Sequence, residues 1–276
     1  MRSNSAIKTE NYIEIPGIQM LELLGRGKQG YVYKAQKDQQ IVAIKLSKMA
    51  STDSQDQGVL FRREAAFLAS FEDQCLPQIF SVGEHDGHSY FIQEYIVGEN
   101  LSDRILKQKL NTQELIAVAI HISRVLGKIH QFGLVHRDIN PKNILLNHSG
   151  QPYLIDFGLA TRATTEKISE EMAGTYMYSS PEQTGMIARP VDQRSDLYSL
   201  GIVLFECATG RPPFESNDVQ QLVKMHAFQK PKSLNELVPD ISPALNEMVQ
   251  KLLAKDPDDR YQDAASLLHD LEQHDA

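Results

Sequence analysis

Hydrophobic positions change period partway along the chain. From Ile18 to about Phe91 they fall in short runs, IQMLELLG, YVYKAQ, IVAIKL, PQIFSVGEH and SYFIQEYI. Each run is rich in β-branched and aromatic residues and is closed by Gly, Asp or Gln, which predicts strands joined by turns. One segment, roughly 57–71, breaks the series by placing Phe61, Leu68 and Phe71 at helical spacings. After Gly98 the helical period takes over. Leu115, Val118, Ile122, Leu126 and Ile129 step by three and four through 111–132, with Asn111 or Thr112 able to cap the start and Gly133 after the end. Further helical patterns occupy about 194–209, 218–229, 242–254 and 262–273, and the pieces ILLN and PYLID read as strands between them. A β-rich first third joined to an α-rich remainder predicts an α+β fold of two lobes. Residues 1–17 are polar, end in Pro16-Gly17, and read as an N-terminal tail.

Composition narrows the function classes. With 41% apolar and 23% charged residues in 276, the chain has enough apolar content to bury a full core. Lys plus Arg is 28 against 36 Asp plus Glu, so the net charge of −8 disfavours a basic nucleic-acid glove. Cys75 and Cys207 form neither a zinc-spaced pair nor a disulfide framework, which points to a reducing compartment. No apolar run approaches the ~20 residues of a membrane span, and MRSNSAIKTE lacks a secretory core. The expectation is a cytoplasmic enzyme with no membrane segment and no nucleic-acid partner.

The first candidate chemistry is Gly25-Arg26-Gly27-Lys28-Gln29-Gly30, a G-x-G-x-x-G run in which the backbone can approach phosphate oxygens. Alone it is weak evidence. A dinucleotide turn needs a helix directly after the glycines, whereas Tyr31-Val32-Tyr33-Lys34-Ala35 alternates like a strand. The glycines therefore belong to a hairpin. Val42-Ala43-Ile44-Lys45 then puts a lysine at the end of an apolar strand, and Glu64 follows on the helical insert. Glu64 reads either as a surface carboxylate beside Arg62 and Arg63, or as a partner that fixes the Lys45 ammonium against phosphates.

Val135-His136-Arg137-Asp138-Ile139-Asn140-Pro141-Lys142-Asn143 follows the long helix, and Asp156-Phe157-Gly158 ends the strand Tyr153-Leu154-Ile155. With these runs the chain resembles the eukaryotic-like protein kinase superfamily from about Ile18 to Leu271, in motif order and spacing. The resemblance implies a bilobal protein kinase fold, with a small β-rich N-lobe carrying one key helix (about 18–95) and a larger helical C-lobe (about 98–271). Residues 272–276 would be a C-terminal tail. It further implies ATP and Mg²⁺, with Mn²⁺ as an alternative ion. Gly25, Gly27 and Gly30 would cover the phosphates and Lys45 would hold two of them, paired with Glu64. Asn143 and Asp156 would bind the metal, and Asp138 would orient the substrate hydroxyl. Leu24, Val32, Ala43 and Leu145 would enclose adenine, with Glu94 and Ile96 as hinge residues, Gln93 as gatekeeper and Asn100 beside the ribose. Gly174-Thr175 to Ser180-Pro181-Glu182 resembles the end of an activation segment, with Glu182 pairing to Arg260 and Asp196 bracing the catalytic loop.

Pro141 and Thr175 are similar to serine/threonine kinases, and Ser179-Ser180-Pro181-Glu182-Gln183 looks like bacterial members. The implied partner is a protein carrying Ser or Thr, the chain itself included. Three departures stand out. Asn140 occupies the place of a lysine that meets the γ-phosphate, which predicts weaker charge stabilisation. Lys142 stands where kinases preferring basic substrates carry glutamate. Glu171, beside Glu170, stands where an activation-loop phosphate is common, with Thr164, Thr165 and Ser169 as further phosphosites. The competing reading is a pseudokinase or low-activity ATP-binding scaffold, disfavoured because Lys45, Asp138 and Asp156 are all present. The kinase ending near Leu271 leaves no room for a sensor domain, so regulation is expected from partners or from a longer protein.

Overall fold

The computed structural model describes residues 13–27, 30–48, 61, 65–66, 68–69, 74–157 and 176–275. The chain divides into two compact units, Met1–Phe71 with Gln78–Tyr95, and Glu72–Pro77 with Ile96–Ala276.

The first unit is built on a five-stranded antiparallel sheet of β1 (Ile18–Arg26), β2 (Gly30–Lys37), β3 (Gln40–Ser47), β4 (Ile79–His85) and β5 (His88–Glu94), in the order β1-β2-β3-β5-β4. These are the runs that their β-branched and aromatic content and closing turn residues predict. Asp38 and Gln39 both take positive φ, 47° and 68°, so a two-residue turn reverses β2 into β3 with the twist a hairpin needs. One sheet face buries Ala35, Val42, Ile44 and Ile92 with Ile18, Met20 and Tyr90 packed on them. Burial of each large aliphatic side chain contributes about 1.5–3 kcal/mol relative to exposure.

The register decides what the opposite face carries. Val32 pairs with Lys45, Lys45 with Phe91, and Ala43 with Gln93, so all five side chains share that face. Phe61, in the helical segment expected at 57–71, packs on it with its ring centroid 5.1 Å from that of Phe91, and Ala65 and Leu68 are buried beside it. Ile15, inside the stretch expected to be a tail, is buried with Tyr33 and Leu46.

The second unit is mainly helical: α1 (Leu101–Lys107), α2 (Thr112–Gln131), α3 (Gln193–Thr209), α4 (Val219–Phe228), α5 (Leu234–Leu237), α6 (Pro243–Leu252) and α7 (Ala264–Asp275). Asn111 and Glu114 form a reciprocal capping box at the start of α2. The α3 helix is buried on nearly every side, and Gly210, at φ 83°, ends it. A Cβ on Gly201 would lie 2.8 Å from Leu252 Cβ, so a glycine in mid-helix lets α6 pack close. The short α1 was not visible in the hydrophobic period, because seven residues hold only two buried positions, Leu101 and Ile105. α7 continues through the residues expected to form a C-terminal tail, and Arg124 bridges to its Glu272 at 2.7 Å. A small sheet, β6 (Gly98–Asn100), β7 (Ile144–Asn147) and β8 (Pro152–Leu154), carries the loops described next. Among the described residues no helix is long and apolar enough to cross a membrane.

Candidate active site

Residues 132–140 leave the end of α2 and run without regular secondary structure to a 3-10 turn at Pro141–Asn143. Such a segment exposes backbone groups that need partners. Asp196, in the first turn of α3 and fully buried, meets several: Oδ2 accepts from the His136 N–H at 2.8 Å, and Oδ1 accepts from the Arg137 N–H at 2.7 Å. His130 Nε2 lies 2.9 Å from the same Oδ2. On the other side of the loop the Gln183 amide donates to the Arg137 carbonyl at 3.0 Å, while its oxygen accepts from Ser180 N–H and Oγ–H at 2.9 and 3.0 Å. The brace expected of Asp196 is therefore present, and Gln183 is a second brace that no sequence signal marked.

The held loop presents Asp138. Its Oδ1 accepts from the Asn140 amide at 2.9 Å and its Oδ2 from the Asn143 amide at 3.0 Å. Burial pushes the Asp138 carboxyl above the usual carboxylate range; His136 opposes that shift, the Asp156 charge adds to it, and the two amides oppose it. Asn143 reaches this position because Ile144 pairs with Leu154 in the small sheet and the Ile155 N–H donates to the Asn143 carbonyl at 2.8 Å. Asp156 follows directly, at φ 69°, and Phe157 is buried against the His136 ring with centroids 4.8 Å apart. Three motif residues, Asp138, Asn143 and Asp156, are thus gathered by one loop and one sheet.

Both proposed metal ligands present oxygen. Asn143 spends its amide N–H₂ on Asp138, and its Oδ1 accepts no hydrogen bond from a described residue. One amide oxygen and one carboxylate suit a hard cation that completes its shell with phosphate oxygens and water.

In the first unit, Lys45 is buried, with its ammonium 5.9 Å from the Phe91 ring centroid. The three glycines separate into two kinds. A Cβ on Gly30 would fall 2.0 Å from the Leu46 carbonyl oxygen, whereas one on Gly25 would meet nothing within 4 Å and one on Gly27 only Gly30 O at 3.7 Å. Val32 and Ala43 lie on the Lys45 face, and Leu24 is 42% exposed. The Glu94 N–H is engaged by the Gln78 carbonyl at 2.8 Å.

Back in the second unit, Ile96 is buried and Leu145 pairs with Tyr153 in the small sheet. Asn100 caps α1, and both its polar atoms are occupied by Asp103, at 2.8 and 2.7 Å. Glu64 and Thr175 lie outside the described residues, as do Gln29, Gly158, Thr164, Thr165, Ser169, Glu170 and Glu171.

The expected Glu182–Arg260 pair is fully buried and two-pronged, at 2.7 and 2.9 Å, and Ser195 Oγ–H donates to the same carboxylate at 2.7 Å. Beyond it lies a group the sequence did not flag. Lys255 donates to the His226 carbonyl at 2.7 Å and sits 4.2 Å from the Phe214 ring centroid.

Comparison with known proteins gives the family of the chain. Residues 18–273 match the protein kinase domain model. The chain is 34% identical over 92% of its length to a probable serine/threonine-protein kinase of Clostridium perfringens, and covers 38% of that protein. It is 33% identical to the serine/threonine-protein kinase PknD of Mycobacterium tuberculosis, over 94% of this chain and 39% of PknD. For PrkC of Bacillus subtilis the figures are 33%, 92% and 40%. The chain thus spans about two fifths of the length of these relatives. The crystal structure of the Mycobacterium tuberculosis PknI kinase domain shares the fold, with a TM-score of 0.70 at 23% identity, covering 95% of this chain and 97% of that one. By its motifs, its fold and the family model that matches most of its length, the chain belongs to the protein kinase domain family.

Proposed function

We propose that this chain is the catalytic domain, about residues 18–271, of a serine/threonine protein kinase that transfers the γ-phosphoryl group of ATP to Ser or Thr hydroxyls of proteins, itself included. The observation that carries the reading is the Asp138 carboxylate, held by two amides on a loop that Asp196 braces from behind. A carboxylate fixed in this way accepts a hydrogen bond from the incoming hydroxyl and points its oxygen at phosphorus, so orientation is its main contribution. Serine/threonine kinase relatives and Pro141 in the loop favour an alcohol over a phenol as acceptor.

Asn143 and Asp156 are the residues that would hold Mg²⁺, or Mn²⁺ in its place, which when bound neutralises charge on the β- and γ-phosphoryl oxygens. Lys45 would hold the α- and β-phosphates, with Glu64 as its partner, and the backbone of Gly25, Gly27 and Gly30 would lie along them. Leu24, Val32, Ala43 and Leu145 would contact adenine, Glu94 and Ile96 would meet its edge through their backbone, and Asn100 would lie by the ribose. Thr175 would line the acceptor site. With a net charge of −8, anionic ATP has to be held by these local groups, and cytoplasmic ATP is the natural supply.

The deciding experiment is transfer of labelled phosphate from ATP with Mg²⁺ to the protein itself and to a generic protein acceptor. Asp138→Ala and Asp156→Ala should each lower transfer by about 10²-fold or more. Label that persists in both variants would overturn the assignment.

A further inference from the structure

Asn140 stands where the family resemblance leads one to expect a phosphate-meeting lysine, and its surroundings give it a different task. It is partly buried, and each of its polar atoms is used twice. Its oxygen accepts from the Lys142 N–H at 3.0 Å and the Asn143 N–H at 3.2 Å, capping the 3-10 turn. Its amide donates to the Asp138 carbonyl at 3.1 Å and to Asp138 Oδ1 at 2.9 Å. Asn143 mirrors this from the other side, donating to the Asp138 carbonyl at 2.9 Å and to Oδ2 at 3.0 Å.

We propose that Asn140 is a positioning residue for phosphoryl transfer: one face of its amide caps the turn that presents Asn143, and the other fixes the Asp138 carboxylate in plane. The proposal rests on the kinase reading given above. A primary amide has two donors and two acceptor lone pairs, which is the inventory these four bonds require. Lysine carries three donors and no acceptor, so it cannot cap the Lys142 and Asn143 N–H groups. Serine can cap a turn but has no amide to reach Asp138. The two amides leave each Asp138 oxygen with lone-pair capacity for an incoming hydroxyl, while they oppose rotation of the carboxylate. Misplacement of a reacting group by as little as an ångström is enough to cost about 10²-fold in rate.

The two tasks separate by substitution. Asn140→Ser keeps the cap and removes the carboxylate clamp; Asn140→Ala removes both; Asn140→Lys restores the residue expected from the resemblance. In steady-state kinetics, Asn140→Ser and Asn140→Ala should each lose about tenfold or more in kcat with KM for ATP nearly unchanged. The thermal midpoint should fall in Asn140→Ala and hold in Asn140→Ser. Asn140→Lys should fall below the wild type in turnover. Wild-type turnover in Asn140→Ser, or turnover in Asn140→Lys at or above the wild type, would overturn the proposal. A second readout needs no activity: in ¹⁵N-labelled ligand-free protein, the Asn140 side-chain amide resonances, assigned by their loss in Asn140→Ser, should shift in Asp138→Ala. Resonances that stay put overturn the clamp on their own. A wild type that transfers no more phosphate than Asp138→Ala would instead defeat the kinase reading, and the amide shift would still decide the clamp.

Discussion

The Asp196 carboxylate accepts the Arg137 backbone N–H at 2.7 Å, and Arg137 lies in the left-handed region at φ 67°. A non-glycine residue there costs on the order of 1–3 kcal/mol and persists only where its surroundings impose it. Here a buried carboxylate on a long helix supplies the constraint, with the His136 N–H on the same group and Gln183 on the Arg137 carbonyl. The residue presented by this strained peptide is Asp138.

Asp196→Asn puts an amide where only an acceptor fits. Whichever way it turns, one backbone N–H or His130 Nε2 faces a donor. Unfolding free energy should fall by about 2–4 kcal/mol in urea titrations, and kcat by about tenfold or more, with KM for ATP less affected. Unchanged stability would show that the loop does not depend on this carboxylate.

The Glu182–Arg260 pair predicts a particular acid response. Burial pushes the Glu182 carboxyl up, but the two Arg260 hydrogen bonds and the Ser195 hydroxyl outweigh it and hold the group below its usual 4.5. A depressed folded value means that the stabilisation is complete above the unfolded value and is lost as pH falls through the folded one. Glu182→Gln leaves the Arg260 charge buried without its counter-ion and should cost about 3–5 kcal/mol near neutrality. The gap to the wild type should narrow below about pH 4.5, where the unfolded chain takes up a proton at Glu182 that the folded pair does not yet accept. Equilibrium unfolding of both proteins across that window is the check; parallel curves would contradict the account.

Lys255 gives the opposite slope. Burial, and then Arg260, pull its ammonium from 10.5 to about 7. Between those values the unfolded chain binds more protons than the folded one, so the Lys255 contribution becomes more favourable as pH rises. Lys255→Met keeps the stem packed on Phe214 and removes the charge. Its stability relative to the wild type should be highest at or below about pH 7 and should decline toward about pH 9.5. A pH-independent difference would mean that the lysine titrates normally.

The glycine-rich strand offers a sharper separation than its motif suggests. Gly30→Ala drives a Cβ into the Leu46 carbonyl of the neighbouring strand, and should lower the thermal midpoint of the ligand-free protein by several degrees. Gly25→Ala and Gly27→Ala meet no such obstacle and should leave that midpoint close to the wild type while weakening ATP binding. Nucleotide titrations with thermal readout measure both effects. Equal midpoint losses at all three positions would remove the distinction.

Much of this was legible from the chain alone. Short runs of β-branched and aromatic residues closed by turn residues located β1 to β5, and the α2 helix announced itself through Leu115 to Ile129 and the Asn111 cap. Asp138, Asn143 and Asp156 were recognisable because their order and spacing are local. The part played by Asn140 was not, although it too is local. Read as a departure from lysine it signalled only a missing charge, and its four hydrogen bonds depend on a turn whose dihedrals the residue names do not state.

The division between sequence and tertiary structure follows from range. By itself the sequence determined most of the strands and helices, the family and the motif residues proposed to carry the chemistry, because those signals repeat or cluster within a few turns of chain. Only the folded structure decided which groups hold them: Gln183 meets Arg137 across 46 residues, Asp196 meets His130 across 66, and Glu182 meets Arg260 across 78. Such partners write no period into the chain. Their hydrogen bonds exist because the packing of α3 against α2 and α6 brings distant polar groups into the same buried interior, where each must find a partner.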